Sequence, residues 1–122
     1  ESQSFLIAPL LLVISLALPA QAAAPNVDKV RVTNEGNGTW RFDVTISHPD
    51  TGWDLYADGW RVLDMDGNEL GMRVLYHPHV DEQPFTRSLG GVRIPANTNE
   101  VQIQARCNVD GWAESRVTVS LK

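Results

Sequence analysis

Thr39-Trp40-Arg41-Phe42-Asp43-Val44-Thr45-Ile46-Ser47 alternates apolar and polar residues without a slip. In an extended chain Trp40, Phe42, Val44 and Ile46 point one way, and Arg41, Asp43, Thr45 and Ser47 point the other. A period of two with one apolar side is the pattern of a strand buried on one face and wet on the other. Helical periodicity is absent after Asn26, so this stretch sets the class for the whole chain.

Working outward, Glu35-Gly36-Asn37-Gly38 is a turn. It joins the decisive strand to a first one over Lys29–Asn34, with Val30 and Val32 inward. Downstream, Trp60–Met65 and Glu69–Tyr76 flank Asp66-Gly67-Asn68, and Asp-Gly between two apolar runs predicts a hairpin. In its second arm Leu70, Met72, Val74 and Tyr76 are expected on one face. Arg87–Ile94 is a weaker strand, loosened by Gly90-Gly91 and stopped by Pro95. Glu100–Cys107 alternates cleanly, with Val101, Ile103, Ala105 and Cys107 inward. Val117, Val119 and Leu121 make the inner face of the last strand. Seven short strands with frequent turns predict an all-β, seven-stranded antiparallel sandwich.

The first part of the chain reads differently. Phe5–Leu18 (FLIAPLLLVISLAL) is an uncharged apolar run of 14 residues, followed by Pro19-Ala20-Gln21-Ala22. An apolar run and an A-x-A site make residues 1–22 a secretory signal peptide, with cleavage after Ala22. The run falls short of the ~20 residues that span a bilayer as a helix, and no Cys follows it to carry a lipid. Residues 23–122 are then a single exported domain, periplasmic or secreted, with no stable membrane insertion after cleavage.

Composition narrows the options further. Ten Lys and Arg against 15 Asp and Glu give a net charge of −5, and the signs are interspersed. Nucleic acid is therefore a poor partner. With one Cys the domain cannot staple itself, so a packed core must hold it.

The strand pattern resembles immunoglobulin-like domains, and more closely the fibronectin type III variety. The similarity is greatest from Ile94-Pro95 through Val101-Gln-Ile-Gln-Ala105 to Gly111 and the Val117–Leu121 strand. The chain departs from the antibody type, because no second Cys exists to form a disulfide against Trp60. A second resemblance lies in Thr51-Gly-Trp-Asp-Leu-Tyr-Ala-Asp-Gly-Trp60 and His77-Pro-His-Val-Asp-Glu-Gln-Pro-Phe-Thr-Arg87. These segments look like those of a group of small exported bacterial proteins without an assigned role. That resemblance implies a periplasmic β-sandwich and supplies no chemistry.

Among residues that can carry chemistry, His77-Pro78-His79 stands out. Pro78 extends His77, so the two imidazoles lie on the same side of the chain. Two ring nitrogens on one strand edge suit copper or zinc, and His48 is a third candidate ligand. The alternative is a polar, exposed loop. Cys107 shares the face of Val101 and Ile103, which makes it a small buried hydrophobe rather than a redox or metal group. Asp64-Met-Asp66-Gly-Asn68-Glu69 lacks the glycine and distant glutamate of a calcium loop and reads as the hairpin turn. Asn37-Gly38-Thr39 matches a glycosylation acceptor and also reads as a turn. Trp53 and Tyr56 lie in the Pro49–Gly59 loop among Asp50, Asp54 and Asp58. They are placed either to stack on a sugar or partner side chain, or to fold over the core as a lid.

Nucleophile, phosphate-loop and dinucleotide motifs are missing. The expectation is a non-catalytic binding module of the bacterial envelope, recognising a protein or glycan through Trp53, Tyr56, His77, His79 and Phe85. The other reading is a periplasmic copper- or zinc-binding protein using His77 and His79 with His48 or Cys107. The oligomeric state is left open by the sequence.

Overall fold

A computed structural model describes residues 24–122. The predicted signal peptide, residues 1–22, lies outside the described residues. The strands are β1 (Asn26–Gly36), β2 (Thr39–Ser47), β3 (Ala57–Leu63), β4 (Glu69–Val74), β5 (Phe85–Arg93), β6 (Glu100–Cys107), β7 (Gly111–Trp112) and β8 (Val117–Ser120). They form two antiparallel sheets. One has the order β1-β2-β5, and the other has β4-β3-β6, with β7 and β8 both paired to β6. There is no helix among the described residues.

β2 is the strand its alternation predicts, with Phe42, Val44 and Ile46 fully buried. They meet Trp60 and Val62 of β3 and Val101, Ile103 and Ala105 of β6, in a core closed by Leu75, Phe85, Val92 and Ile94. Burying a side chain such as Phe42 or Ile46 contributes about 1.5–3 kcal/mol. Val30 and Val32 of β1 pack against this core from the edge. Cys107 is fully buried at the end of β6, and its Sγ accepts from the Asp110 N–H at 3.3 Å.

Two expected faces need correction. In β4 the register sets Arg73 opposite Trp60 and Gly71 opposite Val62, so Gly71 and Arg73 are the inward positions. Met72 and Val74 lie opposite Arg61 and Gly59 on the outer face. The reason is a close approach between the sheets: a Cβ on Gly71 would sit 3.0 Å from Leu89 Cδ2 and 3.3 Å from Val92 Cγ2. Beyond Val74 the chain turns in, and Leu75 is buried with its N–H donating to Asp58 O. Tyr76, expected to share a face with Leu70, Met72 and Val74, lies beyond that turn and is 74% exposed.

The last strand is split, which makes eight segments where seven were expected. β7 ends at Trp112, and Ala113 still donates its N–H to Ala105 O at 2.8 Å before pairing resumes at Val117. The interruption leaves Val117 exposed, while Val119 and Leu121 pack on the core as expected. Trp112 lies on the outer face beneath Arg61, whose guanidinium carbon is 3.8 Å from the ring centroid.

The two ends of the sandwich differ. The segments 48–56, 75–84 and 108–110 gather at one end, where Asn26 of β1 pairs with Ser47. The opposite end carries the turns 37–38 and 64–68, and there Ser120 of β8 pairs with Glu100. Asp64 Oδ1 accepts from the N–H groups of Asp66 and Asn68, which is the hairpin turn predicted there. Asn37-Gly38 is likewise a turn, with Asn37 at φ 55° and Gly38 at φ 82°.

Candidate functional site

Three side chains lock the loop end together. The buried Asp50 carboxylate is the first. Its Oδ1 accepts from His48 Nδ1 at 2.6 Å and from the Ala57 N–H at 3.0 Å, and its Oδ2 accepts from the His79 N–H at 2.9 Å. Gln83 is the second. Its Oε1 accepts from the His48 N–H at 3.0 Å, and its Nε2 donates to His79 O at 2.8 Å. Asn108 is the third. Its Oδ1 accepts from the Tyr56 N–H, and its Nδ2 donates to the carbonyls of Trp53 and Asp54. Loop backbone that would otherwise have to find water is held by protein partners, which fixes these loops relative to one another.

On that frame stand several large apolar side chains. Trp53 is 66% exposed, and Val80 and Val109 are more than half or about half in solvent alongside Tyr76. Tyr56 is half-buried and meets Trp53 edge to face, with centroids 5.6 Å apart and rings at 75°. Trp53 thus stands in solvent rather than folding over the core. The exposed carboxylates Asp54, Asp81, Glu82 and Asp110 lie on the same loops.

The histidines do other work. His77 and His79 are brought together, with ring centroids 4.8 Å apart. His77 is exposed, whereas His79 is buried and stacks on Phe85 at 3.9 Å and 12°. Phe85 itself belongs to the core. Arg87 Nη2 lies 2.9 Å from His79 Nε2. An arginine can only donate, so Nε2 accepts and the proton of the neutral ring sits on Nδ1. That Nδ1 is buried without a hydrogen-bond partner among the described residues. Burial holds the His79 pKa below the ordinary histidine value, and the neighbouring Arg87 and His77 lower it further. His48 is buried against Asp50, and that carboxylate also accepts from the His79 N–H. Among the described residues no group of three or more His, Cys, Asp or Glu side chains is arranged to hold a metal ion.

The chain is similar to a lipoprotein-named protein of Halomicrobium mukohataei. The two are 35% identical over 94 residues, which is 77% of this chain and 46% of the relative. The chain thus spans about half the length of the curated relative it matches. No family model matches the chain, and no solved structure matches it significantly. No helix among the described residues is long and apolar enough to cross a membrane.

Of the residues the sequence singles out, Trp53 is displayed, Tyr56 half-displayed, and His79 and Phe85 form a buried stack beneath His77. Tyr76, Val80 and Val109 were missed. Val109 could have been found, because an apolar residue in the polar turn Asn108–Gly111 has no core to enter. Tyr76 was hidden by the assumption that β4 continued its alternation past Val74.

Proposed function

We propose that the chain is a non-catalytic recognition module of the cell envelope, which binds an envelope protein or glycan through its loop end. The observation that carries this is the display of Trp53, Tyr76, Val80 and Val109 on loops locked by Asp50, Gln83 and Asn108. Exposed aromatic and apolar groups on a fixed frame bind at small entropic cost. The side chains of Asp50, Gln83 and Asn108 are committed to loop backbone rather than converging on a reacting atom, which favours binding over catalysis.

We assign the sandwich to the immunoglobulin-like class, close to the fibronectin III variety. The split into a first-second-fifth sheet and a fourth-third-sixth-last sheet supports that assignment. Export is supported by the apolar run and by the lipoprotein name of the relative, and removal of residues 1–22 by the A-x-A site alone. The lipid attachment that such a name implies has no counterpart at Cys107, which is buried in β6. The metal reading is the weaker one, since Arg87 occupies His79 Nε2 and Asp50 engages His48.

The test compares affinity capture from envelope extracts on the wild-type chain and on a Trp53→Ala/Tyr76→Ala variant. Trp fluorescence titrations with neutral oligosaccharides run in parallel. A protein retained only by the wild type, or a sugar-dependent fluorescence change lost in the variant, supports the reading. Identical capture and no response to any sugar would refute it.

A further inference from the structure

The wet face of the β1-β2-β5 sheet has a composition unlike the rest of the molecule. Lys29, Arg31, Thr33, Arg41, Asp43, Thr45 and Thr86 line a depression of about 450 Å³ across it. The pairing arranges them in rows: Lys29 beside Thr45 beside Thr86, then Arg31 beside Asp43 beside Ser88, then Thr33 beside Arg41. Three cations thus line the depression with one carboxylate, in a chain whose net charge is −5. That carboxylate is already occupied. Asp43 accepts a short hydrogen bond from Ser88 Oγ and pairs with Arg41 at 3.2 Å, and the Ser88 bond together with the arginines holds its pKa below the usual carboxylate range. Lys29 and Arg31 take part in none of the ion pairs found among the described residues. At the two ends of the face, Asp28 is held by Ser47 Oγ and Glu35 by the Gly91 N–H.

We propose that this face is a second binding site, which takes an acidic polysaccharide laid along the strands. The charge favours a polyanion. Side chains two apart on a strand are spaced by about 7 Å, so Lys29 and Arg31 on β1, with Arg41 opposite Thr33 on β2, present an array of cations rather than a single point. A chain with acidic groups recurring along it fits such an array better than an isolated ion. Between the cations stand the hydroxyls of Thr33, Thr45 and Thr86, and Thr45 Oγ1 already meets Thr86 Oγ1 at 2.7 Å. Hydroxyls both donate and accept, as sugar hydroxyls do. None of the exposed large hydrophobic side chains lies on this face, so it lacks the apolar groups that enter a lipid surface or an apolar protein interface. The inference is independent of the loop end, which is acidic and aromatic.

The test uses dextran sulfate and polygalacturonate as probes, with uncharged dextran as the blank, at about 20 mM and about 0.5 M salt. Lys29 and Arg31 are surface groups outside the core, so Lys29→Gln/Arg31→Gln is expected to fold, and circular dichroism verifies it. Arg116→Gln/Lys122→Gln makes the same charge change elsewhere. The expected result is binding of both acidic polymers at low salt and none of dextran. The first pair should weaken binding about tenfold, which is about 1.4 kcal/mol, and the control pair should change it less than about twofold. Lys29→Arg/Arg31→Lys should retain it. Equal loss from both charge-removing pairs would reduce the effect to net charge and overturn the site. Failure of the wild type to bind either polymer, or binding to phosphatidylglycerol vesicles in their place, would overturn it as well.

Discussion

Replacing Asp50 with alanine removes the acceptor of three hydrogen bonds at once. The donors left behind are the Ala57 N–H, the His79 N–H and His48 Nδ1, at 3.0, 2.9 and 2.6 Å from the carboxylate in the native chain. Asp50 and both histidines are buried, so water cannot readily take over. A buried donor left without an acceptor costs about 1–3 kcal/mol. Partial relaxation of the loops would recover some of this, so the expected loss is about 3–5 kcal/mol. Domains of this size have a total stability of about 5–15 kcal/mol, which makes Asp50→Ala a severe change without any loss of apolar contact. Asp50→Asn keeps one acceptor oxygen in place and turns an amide N–H₂ towards a donor, for an expected loss of about 1–3 kcal/mol. Urea unfolding followed by Trp fluorescence measures both, with midpoints compared at constant m. A loss below about 1 kcal/mol for the alanine variant would refute the assignment of Asp50 as the tie between these loops.

Three further outcomes are expected. Because the folded state holds the His79 pKa below its ordinary value of 6.5, the unfolded chain binds the proton more readily. The contribution of His79 is therefore complete above pH 6.5 and declines as pH falls from there towards the folded-state pKa, with a slope of at most about 1.4 kcal/mol per pH unit. His79→Gln should flatten stability over that window, and an unchanged slope would remove His79 as the source. Gly71→Val should destabilise by about 1–3 kcal/mol, because its side chain would meet Leu89 and Val92 at contact distance or closer; a stability within error of the wild type would mean that β4 is held more loosely against β5 than the register implies. In calorimetric titration, copper(II) and zinc(II) should bind no more tightly than about 10 μM, since a metal at His79 Nε2 must displace the Arg87 contact. One ion per chain at higher affinity, lost in His77→Ala/His79→Ala, would restore the metal reading.

The strands that were legible in the sequence are those whose two faces meet different solvents. β2 and β6 alternate because one side meets the core and the other does not, and their inward apolar residues Phe42, Val44, Ile46, Val101, Ile103 and Ala105 are buried. β4 misled for the opposite reason. It is an edge strand whose inward positions are Gly71, chosen by close approach, and Arg73, whose long stem can lie inward while carrying a charge. Met72 and Val74 therefore mark the outer face, while Leu70 packs against the core. Trp53 and Tyr56 were conspicuous as loop aromatics, but whether they folded over the core depended on Asn108, some 50 positions away, which holds their backbone. The role of Asp50 was equally hidden. Its partners come from three separate segments, and no local spacing announces a carboxylate that joins them.

The placement of the start of β1 and the finish of β8 has a practical consequence. β1 starts beside the recognition loops, where Asn26 pairs with Ser47, and β8 finishes at the far end, where Ser120 pairs with Glu100. A nine-residue strand such as β2 is about 30 Å long, so that distance separates the two points of attachment. A fluorophore, affinity tag or surface linker joined after Lys122 leaves Trp53 and Tyr76 facing outward. The same label joined ahead of Asn26 emerges among them and competes for the surface being assayed. Orientation on a biosensor chip is thus decided by which terminus is tethered, and immobilisation through the C-terminal side is the one that presents the loops.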